Sequence, residues 1–524
     1  MARHGSTELR SRTVIREYTL QKSCRAIVDD LLETLGLAAS VKTLIGTPAP
    51  VIGLGVYIWN VEASTAVVQL LKELRPDIRI VLGGPEVSYE HEQLPIVGMA
   101  DYVITGWGDV SFPRLCKSLM REPDAAPRPL QKIIAGEQPP LDSLDLPYDA
   151  YNDEDLRQRV IYVEASRGCP FQCEFCLSAL DKTAWAFDLD AFLSAMLVLY
   201  QRGARTFKFV DRTFNLKVDA SIRILEFFLS RLESAPGESL FVHFELVPDH
   251  LPDRLKAVIS RFPAGVLQFE VGIQSFNPEV QKRISRRQDN EKTESNLRWL
   301  AEHSFAHLHA DLIFGLPGES WESFASGFDR LYALKPHEIQ LGLLKRLRGT
   351  PLARRSLPGA VAQWGMVYSD EPPYAVVETE AVSAERVQLF SRVARYWDLV
   401  ANSGRFVRTL ALLMQTGTSP FTSFCNFVIW QSGRHEPTIG LTPELLVDAL
   451  YAYLTEVVDL EANEARRALV DDYVASGARG KPNCLHGYLP TRPDPKPGKS
   501  LRGDHRQQRH QVEIAHYTER AGRP

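Results

Sequence analysis

The sequence predicts an α/β protein of several domains: a doubly wound, Rossmann-like domain, a central (β/α)6 partial TIM barrel and a C-terminal helical domain. At 524 residues, 44% hydrophobic and 24% charged, the chain is too long for one core and too apolar to be disordered. Short apolar runs alternate with helix-length stretches as far as residue 345, which is typical of parallel sheets. Beyond residue 357 amphipathic helices replace the strands.

Residues 1–122 are predicted to form the Rossmann-like domain. Its strand candidates are TVIREYTL from Thr13, VIGLGVYIW from Val51, IRIVLGGP from Ile78 and DYVITGW from Asp101. Parallel sheets bind ligands at the carboxyl ends of their strands. The candidate ligand-binding residues at these ends are Tyr57, Trp59, Gly83, Gly84, Pro85, Gly106 and Gly108.

A linker rich in Pro, Asp and Glu is expected at 123–157, and the barrel at 158–352. Six βα units in a row, with no sign of a change of direction, indicate a partial barrel whose working face is at the carboxyl ends of its strands. The predicted strands are VIYVEAS, TFKFVD, FVHFELVP, LQFEVGIQS, HLHADLIFG and EIQLGLLK.

The helical domain is predicted at 353–476, and a disordered tail at 477–524. The tail has ten Lys and Arg against four Asp and Glu. The whole chain has a net charge of -5 and no basic nucleic-acid footprint. It also has no apolar run of membrane-spanning length and no secretory leader pattern. We therefore expect a cytoplasmic protein without nucleic-acid or membrane partners.

Three of the seven cysteines stand together after the first barrel strand, as Cys169, Cys173 and Cys176. Three thiolates on one loop favour zinc or an iron–sulfur centre. Zinc normally takes a fourth ligand, and no paired Cys-x-x-Cys elsewhere offers one. A 4Fe-4S cluster held by three cysteines keeps one iron open to a small molecule, so the pattern favours such a cluster over a structural zinc site.

This loop, with Phe175 before its third cysteine, resembles the defining loop of the radical S-adenosylmethionine (SAM) superfamily. The resemblance implies that Cys169, Cys173 and Cys176 hold a catalytic 4Fe-4S cluster. It further implies that the cluster cleaves SAM to a 5'-deoxyadenosyl radical for C–H functionalisation, and that SAM is bound at the barrel mouth with Phe175 among its contacts. A small-molecule or peptide substrate and a one-electron reductant such as flavodoxin or ferredoxin follow from the same resemblance.

Within the barrel, the sequence is similar to the branch that contains oxygen-independent coproporphyrinogen oxidase. The similarity implies that SAM is bound by Glu245 of FELVP, Gln274 and Arg286 of GIQSFNPEVQKRISRRQ, and Asp311 of DLIFGLPGE. The glycine pair expected after the second strand is replaced by FVDRTFN, so Asp211, Thr213 or Asn215 is expected to contact the SAM amino group instead.

The first domain resembles the cobalamin-binding domain of many radical SAM proteins, and the whole chain resembles an uncharacterised subgroup with a helical C-terminal domain. Cobalamin is therefore expected at the strand ends named above. No Asp-x-His-x-x-Gly motif offers a histidine to cobalt, and the first βα unit of the domain is missing. We expect either a reading frame that extends upstream or a sheet that binds cobalamin poorly.

The function predicted from these patterns is a radical SAM enzyme that performs cobalamin-dependent methyl transfer. One alternative is a radical rearrangement, cyclisation or oxidation without methyl transfer. The other is a noncatalytic iron–sulfur or cobalamin sensor. An intact SAM pocket beside the cysteine loop favours an enzyme.

Overall fold

A computed structural model describes residues 1, 3–37, 49–120, 131–235, 237–355, 364–417, 419–434 and 441–490. Its fold is α/β with parallel sheets and a helical C-terminal region, which confirms the predicted fold class. No helix among the described residues is long and apolar enough to cross a bilayer.

The N-terminal domain is a Rossmann-like parallel sheet of four strands that follow one another in chain order, β1-β2-β3-β4. Alternate residues of β2 point to opposite faces: Ile80 and Leu82 join the core under α2, α3 and α4, whereas Val81 packs with Leu115 of α5. The elements are α1 Thr7–Ser11, α2 Cys24–Thr34, β1 Val51–Gly55, α3 Val61–Leu74, β2 Arg79–Gly83, α4 Pro95–Met99, β3 Tyr102–Thr105, α5 Ser111–Leu119 and β4 Ile133–Ala135.

The strand predicted at TVIREYTL is wrong, because residues 13–19 form neither strand nor helix. Polar side chains hold this segment across α2: Arg16 Nε donates to Thr34 Oγ1 at 2.9 Å, and the Tyr18 hydroxyl donates to Asp30 at 2.6 Å. Glu17 pairs with Arg159 at the start of the barrel. These contacts draw the segment over the helix, away from any sheet edge.

The linker prediction is wrong at β4, which lies within 123–157 and adds a fourth parallel strand to the N-terminal sheet. Its Ile133 is in register with Val103 of β3. Residues 121–130 of the predicted linker lie outside the described residues. A short helix, α6 Asp153–Gln158, leads into the barrel.

The barrel is a six-stranded parallel sheet in chain order, which confirms the predicted partial barrel. Phe209, Phe244 and Phe269 are fully buried against the surrounding helices, whereas the inward positions between them are mostly polar. The elements are β5 Ile161–Val163, β6 Ser166–Arg167, β7 Trp185–Ala186, α7 Leu189–Gln201, β8 Thr206–Phe209, α8 Val218–Ser234, β9 Phe241–Leu246, α9 Asp253–Ile259, β10 Leu267–Gln274, α10 Pro278–Arg283, α11 Asn290–His303, β11 His307–Phe314, α12 Trp321–Tyr332 and β12 Glu338–Leu343.

The C-terminal region is helical as predicted and continues the barrel core: the Phe390 ring stacks on Phe314 of β11 with ring centroids 4.1 Å apart. The disordered-tail prediction is wrong for 477–490, where Leu485 is fully buried and Cys484 N donates to Asp448 at 2.8 Å. Residues 491–524 lie outside the described residues. The elements are α13 Pro351–Arg354, β13 Val367–Tyr368, β14 Val376–Glu378, α14 Ala384–Val400, α15 Val407–Met414, α16 Pro420–Gly433, α17 Pro443–Glu456 and α18 Ala462–Ala475.

Candidate functional site

The cysteine loop begins at the carboxyl end of β5 and is closed at its base by the antiparallel pair β6 and β7. Gly168 takes a φ of +88°, and a Cβ there would stand 2.8 Å from Ala184 N, so only glycine fits without strain. Cys169 N then donates to Asp181 O at 2.8 Å. The loop is thus held at both ends by backbone contacts.

A cavity of about 380 Å³ opens beside this loop at the carboxyl ends of the barrel strands. The three cysteines line it together with Phe175 and four further residues that were predicted to bind SAM. These four residues, Glu245, Gln274, Arg286 and Asp311, come from β9, β10, the segment after α10 and β11. The structure therefore brings residues more than 140 positions apart to one site, although their roles in binding stay predictions.

The donor set of the cavity suits a metal–sulfur cluster. Each of the three cysteines is a free thiol, and Cys169 and Cys173 are buried. Burial raises the pKa of Cys169 to about 11, so the thiol is neutral until a metal stabilises the thiolate. Within the described ranges no three His, Cys, Asp or Glu side chains already stand at metal-binding positions.

Gln274 is shaped for a ligand. It has a φ of +70°, which a non-glycine residue rarely adopts, at a register shift in the pairing of β10 with β11. Its Oε1 is buried and accepts no hydrogen bond from the described residues. An unsatisfied buried acceptor is costly unless a ligand donates to it, so this amide is a candidate ligand contact.

Arg286 is held by the protein on three sides. Its Nε donates to Gln288 at 2.9 Å, its Nη2 to Gly272 O, and its Nη1 lies 3.8 Å from Cys173 Sγ. The guanidinium therefore lies between the cysteine loop and β10, where it can meet the carboxylate of a bound ligand.

The environment shifts the pKa values of three acidic residues in the cavity. Burial raises the pKa of Glu245 to about 7, although Arg212 donates to it at 2.6 Å. Burial also raises the pKa of Asp311 well above its ordinary value. By contrast, the His243 imidazole beside Glu270 lowers the pKa of that carboxyl to about 2. Burial and the neighbouring imidazole thus shift the pKa of Glu245 and that of Glu270 in opposite directions.

Asp211 does not line the cavity, so the structure does not support it as a SAM contact. Its carboxylate is buried and accepts from Ala165 N at 3.0 Å and from Ser166 Oγ at 2.6 Å. Asn215 is also buried, donating to Val247 O and His250 O. Of the three alternatives at this strand end, only Thr213 lines the cavity.

Sequence reasoning missed Arg212, Glu270 and Arg287, which also line the cavity. Glu270 carried a usable signal, since it precedes Gly272 and Gln274 by steps of two on β10 and so points the same way. Arg212 and Arg287 lie in loops, where no periodicity indicates direction.

The predicted cobalamin residues all lie at the carboxyl edge of the N-terminal sheet, which we call the cobalamin edge. Tyr57 and Trp59 stack with ring centroids 5.2 Å apart and are 41% and 59% exposed. Gly84 has a φ of +107°, and a Cβ there would stand 2.4 Å from Val56 O. The other edge residues are Gly83, Pro85, Gly106 and Gly108, and a Cβ on Gly106 or Gly108 would meet no atom within 4 Å.

Two protein-family models match the parts of the chain that contain the cavity and the cobalamin edge. The model of the radical SAM superfamily matches residues 163–331, and that of the B12 binding domain matches residues 26–116. The chain contains a radical SAM domain and a B12-binding domain. A third model, described as a protein of unknown function (DUF4080), matches residues 362–515, which include the helical domain.

Among curated relatives, the cobalamin-dependent radical SAM methyltransferase TokK of Streptomyces tokunonensis is 25% identical over 512 residues, 88% of this chain and 70% of TokK. The 2-(S-pantetheinyl)-carbapenam-3-carboxylate methyltransferase of Streptantibioticus cattleyicolor is 24% identical over 84% of this chain and 69% of that protein. The uncharacterized methyltransferase PH0819 of Pyrococcus horikoshii is 26% identical over 38% of this radical SAM chain, which spans only 48% of PH0819.

Two solved structures share the fold of the radical SAM chain. The cobalamin-dependent radical enzyme OxsB, with aqua-cobalamin and SAM bound, has a TM-score of 0.52 at 13% identity and covers 96% of this chain and 74% of its own. The methyltransferase TsrM of Kitasatospora setae, with cobalamin and a [4Fe-4S] cluster bound, has a TM-score of 0.50 at 17% identity and covers 66% and 74%.

Proposed function

We propose that this radical SAM enzyme transfers a methyl group to an unactivated carbon of a small molecule, with a 4Fe-4S cluster, SAM and cobalamin as cofactors. The single observation that carries the proposal is the convergence of Cys169, Cys173 and Cys176 with Glu245 and Gln274 on one cavity. The names of the aligned relatives support methyl transfer as the reaction.

In the proposed site, the three thiols would hold the cluster. When bound, the cluster supplies the electron that converts SAM into methionine and a 5'-deoxyadenosyl radical, and cobalamin supplies a transferable methyl group. The side chains of the cavity carry out the remaining steps of binding and orientation. Those side chains bind and orient the cosubstrate and keep water away from the reacting atoms.

In the proposed site, each polar residue of the cavity suits a different part of SAM. The Gln274 Oε1 is free to accept from an ammonium or hydroxyl, and the Arg286 guanidinium is placed to meet a carboxylate. Glu245 suits ribose hydroxyls, because a carboxylate accepts two hydrogen bonds at once. Arg212 already occupies one of its oxygens, so sugar binding would compete with that ion pair.

The cobalamin edge offers a flat apolar platform in Tyr57 and Trp59 and open backbone at Gly106 and Gly108. Exposed stacked aromatics and glycines without facing atoms suit a large planar ligand that approaches the backbone closely. We propose this edge as the cobalamin site. The one-electron reductant, flavodoxin or ferredoxin, and the cytoplasmic location stay predictions.

The proposal is tested on anaerobically reconstituted protein reduced with dithionite. We expect 5'-deoxyadenosine from SAM, and transfer of label from methyl-labelled SAM to bound cobalamin. Gln274→Ala should lower 5'-deoxyadenosine formation, whereas Asp219→Asn, an exposed acid on α8, should not. Formation of 5'-deoxyadenosine without any methylated cobalamin would favour radical rearrangement or oxidation. Iron–sulfur loading without SAM cleavage would favour a sensor.

A further inference from the structure

Two arginines of the barrel domain reach across to the N-terminal domain, and each meets a loop that follows one of its strands. Arg348 Nε donates to Glu86 at 2.8 Å, just after β2. Arg167 Nη1 donates to Asp109 at 3.1 Å, just after β3. Both loops belong to the cobalamin edge, because they also contain Gly84 and Pro85 in one case and Gly106 and Gly108 in the other.

The Arg348 contact is buried, with the side chains of Arg348 and Glu86 only 9% and 3% exposed. Arg348 also donates to Glu90 O at 3.3 Å and to the Tyr374 hydroxyl at 3.3 Å, and its guanidinium lies over the Tyr374 ring. Both charged side chains are therefore shielded from water at the contact between the two domains. Removing one partner of a buried ion pair is strongly unfavourable, so replacing Arg348 or Glu86 alone should loosen the contact between the two domains.

The loop that carries Arg348 is shaped for this contact. Gly349 has a φ of +81°, and a Cβ there would stand 2.2 Å from the ring of Tyr89 in the N-terminal domain. Gly349 N donates to Glu90 Oε1 at 3.2 Å, and Arg346 donates to Glu90 Oε2 at 2.6 Å. Leu347 of the same loop lines the cavity, so the contact reaches the site itself.

Arg167 makes the second contact from the base of the cysteine loop, two positions before Cys169. Glu164 accepts from its Nε at 3.0 Å and its Nη2 at 2.8 Å, which fixes the plane of the guanidinium. The Cζ atom of Arg167 lies over the ring of Trp107, 4.7 Å from the ring centroid. The residue that starts the cysteine loop thus also holds the third strand-end loop of the N-terminal domain.

We propose that Arg348–Glu86 and Arg167–Asp109 are positioning pairs that fix the cobalamin edge over the cavity of the barrel. Neither arginine is a catalytic residue, since each acts through the loop it holds. The statement that this edge carries cobalamin rests on the proposed function. The statement that the two pairs fix the edge is independent of it.

Hydrogen exchange on the cofactor-free chain tests the fixing directly. Arg348→Gln and Arg167→Gln should raise the exchange rates of the amides of residues 84, 86–90 and 106–109 at least tenfold, with amides inside β1 and β2 unchanged. Arg348→Lys, which keeps the charge without the planar fork, should give an intermediate rise. The matched control is Arg254→Gln, which removes an exposed pair with Asp219 within the barrel. Exchange equal to wild type in both Gln variants would overturn the proposal.

Should Arg348→Gln fail to fold, Arg167→Gln decides alone, because its pair is partly exposed. Reconstituted protein gives a second readout. We expect a magnetic interaction between cob(II)alamin and the reduced cluster in wild type, and a weaker one in Arg167→Gln at unchanged hydroxocobalamin affinity. An equal interaction would overturn positioning of cobalamin. Wild type that binds no cobalamin would overturn the proposed function instead, while the exchange result still decides whether the pairs hold the domains.

Discussion

The amide of Gln274 lies directly over the bare Cα of Gly272, so that a Cβ on Gly272 would stand 2.5 Å from Gln274 Nε2. The two residues are two positions apart on β10, and both line the cavity. The Gln274 amide therefore occupies the space that a side chain at position 272 would need.

Gly272→Ala should displace the Gln274 amide, because the clash falls on the end of a flexible side chain rather than on backbone. We expect SAM affinity to fall about as far as in Gln274→Ala, while the free energy of unfolding changes by less than about 1 kcal/mol. Isothermal titration and urea unfolding measure the two effects. Wild-type SAM affinity in Gly272→Ala would show that the position of this amide does not matter for binding.

Replacing Cys169, Cys173 or Cys176 by Ala should abolish cluster binding, since each thiol is one of three candidate ligands in the cavity. Wild type should hold about four iron and four sulfide per chain after reconstitution. Cys24→Ala and Cys484→Ala serve as controls, because both thiols are partly exposed and lie outside the cavity. Stoichiometric zinc in place of iron would contradict the assignment.

At pH 8 and above, where the Glu245 carboxyl with its pKa of about 7 is mostly ionised, Glu245→Gln should weaken SAM binding about ten- to a hundredfold, because loss of a charged hydrogen-bond acceptor costs roughly 1.5–3 kcal/mol. The iron content should stay that of wild type. Asp211→Asn provides the contrast: its carboxylate holds Ala165 and Ser166 and lies outside the cavity, so we expect reduced stability with unchanged SAM affinity. A large loss of affinity in Asp211→Asn alone would restore it as a ligand contact.

Glu319 gives a pH-dependent stability. The residue is 2% exposed, and burial raises its pKa from an ordinary 4.5 to about 7. Because the folded pKa exceeds the unfolded one, this group favours the folded state below about pH 4.5, and the contribution is lost as pH rises through 7. Glu319→Gln, which can still accept from Ser275 and Ser323, should therefore gain stability relative to wild type between pH 5 and 8. The relative gain, on the order of 3 kcal/mol at most, is measured by urea unfolding; a constant difference would contradict it.

Trp59→Ala should lower hydroxocobalamin affinity roughly tenfold, because it removes half of the exposed aromatic stack at the cobalamin edge. Stability should change little, since the side chain is 59% exposed. Spectroscopic titration measures the affinity. Tyr488→Ala, an exposed aromatic on the helical region, is the control. Equal affinities in wild type and Trp59→Ala would remove the aromatic platform from the proposed site.

The barrel could be predicted strand by strand, because apolar residues occupy every second position and direct one face outward, as Phe207 and Phe209 do in β8 and Val242, Phe244 and Leu246 do in β9. The same rule failed at TVIREYTL, where the apolar Val14 and Ile15 remain exposed. There the conformation is set by contacts of Arg16, Glu17 and Tyr18 with distant residues, which local periodicity does not encode. The structural role of Asp211 could not be predicted from the sequence either, because it depends on the approach of Ala165 from another strand end.

The fourth strand of the N-terminal sheet determines how long an isolated N-terminal fragment of this chain must be. Any fragment that ends near residue 122, as domain size alone suggests, would lack Ile133–Ala135 and leave the hydrogen-bonding edge of β3 open along Val103 and Ile104. Open edges of apolar strands pair with other chains. An isolated N-terminal domain made for binding studies should therefore extend past Ala135, and precipitation of the shorter fragment would reflect a missing strand rather than an unstable fold.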